Sequence, residues 1–90
     1  MSVADSIHAK LTDTFAPVHL DIIDESHLHA GHAGARPEGE THFRVEIVAS
    51  TFDGMPRVER QRMVYRVLAD ELGDRVHALA LRVRSPSENT

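Results

Sequence analysis

The 90 residues include no cysteine. That excludes a disulfide framework, a thiol nucleophile and any iron–sulfur cluster held by the chain's own thiolates. Also missing is an apolar run long enough to cross a bilayer as a helix. The opening Met1-Ser2-Val3-Ala4-Asp5 has no charged stretch leading into an apolar one, so no secretory signal is expected, and a cytoplasmic, reducing setting is. Aromatic residues make up only 4% of the chain, which leaves no evident platform for stacking bases. Lysine is nearly absent, since nine of the ten basic residues are arginine, and the formal net charge of −4 argues against a general polyanion binder.

What is present is an ordinary globular mixture, 41% apolar and 27% charged, in a length that supports one modest core. The expected organisation is a single domain over residues 1–84 followed by a flexible, polar tail over 85–90. The enrichment is in histidine, with seven residues.

Val3, Ile7, Leu11 and Phe15 recur every fourth residue, Ser2 suits an N-cap and Pro17 blocks continuation, so Val3 to Phe15 reads as an amphipathic helix. Val18, Leu20 and Ile22 alternate with polar residues, as Phe43, Val45, Ile47 and Ala49 do with Arg44 and Glu46; these are strands over 18–22 and 42–49. Pro56 suits the first turn of a helical region running to about Leu72, with Val64, Val67, Leu68 and Leu72 as its buried stripe, Gly73 as its C-cap and a break expected near Gln61. Arg75 to Val83 alternates again, His77, Leu79, Leu81 and Val83 facing one way and Ala78 and Ala80 the other. The order α-β-β-α-α-β implies an α+β sandwich with helices on one face of a three-stranded sheet.

Between the first two strands, Glu25 to Thr41 carries three of the five glycines, Pro37 and the histidines at 27, 29 and 32. A connection this long in a small domain is either functional or disordered.

Several segments together resemble one family. Asp24-Glu25-Ser26 precedes the His/Gly connection, Gly39-Glu40-Thr41-His42-Phe43 opens the second strand, and Phe52-x-Gly54, Arg60-x-Arg62-x-Val64-Tyr65 and Val76-His77-Ala78-Leu79 follow. No single element is specific, but five in this order over nearly the whole chain resemble the BolA family. The chain departs from the family pattern at Gln61, where a histidine is usual, and in its longer His/Gly connection.

The resemblance implies a KH-like fold of the class II type, in the element order already read from periodicity. It also implies a partner, a monothiol glutaredoxin with a glutathione-ligated [2Fe–2S] cluster, and ligands at His77 and at one histidine of the long connection, His29 or alternatively His32. Histidine can replace cysteine on one iron of such a cluster, and imidazole is all that this chain can offer. Taken alone, His77 is equally an imidazole satisfied at a strand end beside Leu79, and His29 and His32 are equally solvated residues of a mobile segment. His42 is expected to form a hydrogen bond or cap its strand, and His8 and His19 to lie at the surface.

Two other functions compete. Arg57, Arg60, Arg62 and Arg66 against Glu59 give the helical region a local positive charge suited to phosphates, hence a nucleic-acid-binding regulator. His27, His29 and His32 suit direct Zn²⁺ or Ni²⁺ binding. Enzyme activity is not expected: the contiguous Glu25, Ser26 and His27 cannot by themselves form a catalytic triad, and no glycine-rich loop leads into a lysine and helix as nucleotide binding requires. The free protein is expected to be a monomer with no membrane association.

Overall fold

A computed structural model of the chain describes residues 2–25, 41–74, 76 and 78–89. Helix α1 spans Val3–Phe15, the range its four-residue periodicity predicts. Its start is fixed by a capping box: the Ser2 hydroxyl accepts from the Asp5 N–H at 3.1 Å, and the Asp5 carboxylate accepts from the Ser2 N–H at 3.4 Å. Its end is set by Ala16 in the left-handed region (φ 46°, ψ 56°), whose N–H donates to Thr12 O at 3.0 Å before Pro17 turns the chain away.

The sheet contains β1 (His19–Asp24), β2 (His42–Val48) and β3 (Ala78–Arg84) in the order β1-β2-β3. β1 runs antiparallel to β2, and β3 runs parallel to it. Helix α2 (Arg57–Val67) and the short α3 (Ala69–Gly73) supply the crossover that a parallel pair requires. The α+β arrangement with helices on one face is therefore the observed one.

The core lies between that sheet face and the helices. Ile7, Leu11 and Phe15 of α1 pack with Phe43, Val45 and Ile47 of β2, with Ala49 and Phe52 just beyond it, and with Val64 and Leu68. The Phe15 and Phe52 rings meet at 4.9 Å between centroids, tilted by 41°, a favourable aromatic geometry. Leu79, Leu81 and Val83 pack partly buried against this cluster while Ala78, Ala80 and Arg82 are exposed, so β3 has the expected parity.

Two expectations need correction. Val18 lies outside the β1 ladder and is 73% exposed, although its N–H still donates to Val48 O at 2.8 Å, because it leaves the turn at Pro17 before the strand has reached the core. The helical region runs straight through Gln61 and divides instead at Leu68, whose backbone leaves helical values (φ −99°, ψ 18°) while its side chain stays buried. Gln61 is a good helix former, so nothing local breaks the helix there.

Ser85 is buried and Pro86–Asn89 forms a 3₁₀ turn, because the Ser85 N–H and hydroxyl bond the Glu88 carboxylate at 2.8 and 3.1 Å and Glu88 is in turn held by Arg60.

Candidate functional site

Two places in the fold gather the residues singled out by sequence. The first is the end of the sheet where β2 and β3 begin and β1 finishes. The Glu25 N–H donates to His42 O at 2.8 Å, and the Ala78 N–H donates to Thr41 O at 3.1 Å. Glu25 and Thr41 flank the segment 26–40 on either side, and Val76 and Ala78 flank position 77, so these flanks converge on one sheet end. His29, His32, His27 and His77 themselves lie outside the described residues.

His42 sits at this end and is buried, its Nδ1 2.8 Å from the Thr41 hydroxyl, which is itself fully buried. This matches the hydrogen-bonding role expected of it. Beside it, Arg44 Nε donates to the Glu25 carboxylate at 3.2 Å, bracing the last residue before the segment against the central strand. His8 and His19 are exposed, as expected. Among the described residues, no three histidine, aspartate or glutamate side chains come together as a metal site.

The second place is the arginine-rich face. Arg57, Arg62 and Arg66 are exposed on α2, and Arg62 pairs with Glu59 at 3.0 Å within the helix. Arg60 is the exception. Its side chain points inward, donating from Nε to Met55 O at 2.9 Å, from Nη1 to Val83 O at 3.4 Å and from Nη2 to Glu88 at 3.1 Å, with a second contact from Nη1 to Glu88. In this arrangement Arg60 is only 8% exposed and its guanidinium is held by Met55 O, Val83 O and Glu88, which sets it apart from the three exposed arginines. The Arg60 guanidinium, followed by the Ser85 N–H, holds the Glu88 carboxyl down at about 2.

A groove of about 630 Å³ opens beside β3, lined on its basic side by Arg44, Arg57, Arg82 and Arg84. Arg82 and Arg84 belong to the exposed parity of β3, and Arg44 to the off-core parity of β2. The strand alternation carries this signal, since Arg82 and Arg84 share one parity of β3, whereas the charges of α2 alone do not contain it.

The comparisons with known proteins agree with one another. The family model for BolA-like protein matches residues 11–88. An Arabidopsis thaliana relative, "Protein BOLA1, chloroplastic", is 46% identical over 96% of this chain, which spans 55% of that protein's length. An Escherichia coli relative named "DNA-binding transcriptional regulator BolA" is 41% identical over 98% of the chain and 80% of its own length. The solved structure of BolA1 from Arabidopsis thaliana superposes with a TM-score of 0.88 at 43% identity, covering 98% of this chain and 96% of that one. With a family match over most of its length and relatives above 40% identity, this chain belongs to the BolA-like protein family.

Proposed function

We propose that this chain is a non-enzymatic partner of a monothiol glutaredoxin, the two jointly holding a bridging [2Fe–2S] cluster with glutathione for iron–sulfur trafficking or iron sensing. The observation that carries this reading is the convergence at the sheet end. The backbone bonds Glu25 to His42 and Ala78 to Thr41 draw together the flanks of the two chain positions that bear His77 and the His29/His32 pair.

The chemistry of the donor set fits half of such a site. The chain has seven imidazoles and no thiolate, so it can supply the nitrogen side of a mixed shell, and sulfur must come from elsewhere. His77 and either His29 or His32 would hold the cluster, which as cargo supplies iron and sulfide for transfer and a redox-sensitive state for sensing. The chain's own described residues fix the frame: Thr41 and His42 are buried and mutually bonded, and Arg44 braces Glu25.

The test is visible circular dichroism of the chain reconstituted with a monothiol glutaredoxin, iron, sulfide and glutathione. A spectrum distinct from the glutaredoxin homodimer's, lost in His77→Ala and altered in either His29→Ala or His32→Ala, is the expected result. An unchanged spectrum in all three variants would exclude imidazole ligation.

A second reading, a nucleic-acid-binding regulator in the cytoplasm, is favoured by the name of the Escherichia coli relative and by three exposed arginines on α2. Salt-sensitive binding to DNA, measured without iron, distinguishes it from the first.

A further inference from the structure

β3 is an edge strand, and among the described residues no further strand pairs with its free side. In its parallel ladder with β2, the even-numbered residues turn their backbone groups inward, as Ala78 N–H to Thr41 O and Ala49 N–H to Arg84 O show. Leu79, Leu81 and Val83 therefore turn theirs outward. Tyr65 Oη reaches Leu79 O and Arg60 Nη1 reaches Val83 O, both at a long 3.4 Å, and no bond from Leu81 to another described residue points outward. An edge of this kind is a template for another strand.

We propose that the β3 edge and its groove take up an extended, acidic segment of a partner protein, which joins the sheet as a fourth strand. The pattern of that segment follows from parity. A strand beside β3 shares its two faces, and on the open face it would meet Arg82 and Arg84 with Arg44 behind them, whereas on the helix side it would meet Met55, Leu81 and Val83. The complementary sequence alternates acidic with apolar residues.

Charge complementarity favours this occupant. Among the described residues, five arginines line the groove against Glu46 and Glu88, a positive balance in a chain whose formal net charge is −4; Arg60 is committed to Glu88 and Arg44 to Glu25, which leaves Arg57, Arg82 and Arg84. A second copy of the chain is the wrong partner, because pairing β3 with β3 would bring two sets of Arg82 and Arg84 onto one face. Single-stranded nucleic acid fits less well, because among the described residues no aromatic side chain lines the groove to stack a base, and a phosphate chain has no N–H and C=O repeat to match the outward groups of β3. The inference does not depend on the cluster-holding role and is tested without iron or glutaredoxin.

The experiment is an NMR titration of the full, ¹⁵N-labelled chain with a capped peptide of about eight alternating valine and glutamate residues, a typical strand length. Three probes accompany it: the same peptide N-methylated at alternate backbone nitrogens, its lysine-for-glutamate counterpart, and a single-stranded thymidine oligonucleotide. Expected are shifts centred on the Leu79, Leu81 and Val83 amides, slowed exchange of the Leu81 N–H, and loss of binding to the N-methylated and lysine peptides. The Arg82→Gln/Arg84→Gln variant, whose side chains lie outside the core cluster, should bind the peptide about tenfold more weakly while keeping its native spectrum. Equal binding of the N-methylated peptide, shifts that map elsewhere, or preferential capture of the oligonucleotide by the same residues would each overturn the proposal.

Discussion

Arg60 and Glu88, 28 residues apart in sequence, clasp each other across the start of α2 and the turn that follows β3. Arg60 also holds Met55 O and Val83 O, so a single guanidinium ties together the loop before α2, the end of β3 and the final turn of the chain. The clasp is directional in pH. Its carboxyl sits at about 2 in the folded chain against an ordinary 4.5, so the unfolded chain takes up the proton first as the medium acidifies. The stability that Glu88 contributes is complete above its ordinary value and is lost as pH falls from there toward 2.

Glu88→Gln therefore separates this contribution from general acid unfolding. Near neutral pH the variant should be less stable than the parent, because Arg60 keeps its charge in a mostly buried position without its carboxylate. The gap between the two should narrow steadily as the pH of urea unfolding is lowered from about 6 to about 3, through the interval in which native and unfolded carboxyls differ in protonation. A gap that does not change with pH would mean that Glu88 acts through packing alone.

A second tether joins α1 to α3. The Ser6 hydroxyl donates to Glu71 at 2.6 Å and Lys10 Nζ donates to the same carboxylate at 2.9 Å. Burial pushes the Glu71 carboxyl upward, but the bonds from Ser6 and Lys10 outweigh it and leave it below its ordinary value. Ser6→Ala should cost about 1–2 kcal/mol, the range for a lost hydrogen bond to a charged, partly buried group. Denaturant midpoints of the parent and variant at neutral pH measure it, and a neutral effect would show that Lys10 alone suffices.

Ala16 offers a stabilising change. It is the described non-glycine residue with positive φ, and the left-handed conformation presses its Cβ against the following carbonyl. Ala16→Gly removes that conflict at a helix end where glycine is the preferred residue, and should raise stability by about 1 kcal/mol. In a domain of this size that corresponds to a rise of roughly 4–8 °C in Tm by calorimetry.

The parts of the fold that were legible in the sequence are those fixed by local pattern. The Ser2 cap, the four-residue stripe and Pro17 delimit α1 at both ends, and strict alternation finds β2, the most buried strand. Legibility fails where a long-range contact decides. Nothing near Leu68 announces that the helix divides there, because the cause is its anchorage in the core, and nothing in Ser85-Pro86-Ser87-Glu88 announces order, because its partner Arg60 lies on another element. For the same reason Arg60 reads in sequence as one more surface arginine. The ligand residues expected from the family resemblance, His77, His29 and His32, fall outside the described residues, so only their flanks bear on that reading.

The inward turn of Arg60 separates it from Arg57, Arg62 and Arg66, and DNA binding provides the contrast. On the nucleic-acid reading, Arg57, Arg62 and Arg66 are the side chains that can neutralise phosphates, each contributing about 0.9 to the slope of log affinity against log salt. Arg57→Ala or Arg66→Ala should then reduce that slope by about 1 without lowering the unfolding midpoint. Arg60→Met should do the reverse, leaving the slope intact while destabilising the chain, because it releases Met55 O, Val83 O and Glu88 together. Fluorescence anisotropy across a salt series, paired with urea unfolding of the same variants, reads both quantities. A slope that drops in Arg60→Met as much as in Arg57→Ala would require Arg60 to leave its clasp when DNA binds, and Glu88→Gln, which frees the guanidinium, should then tighten the complex.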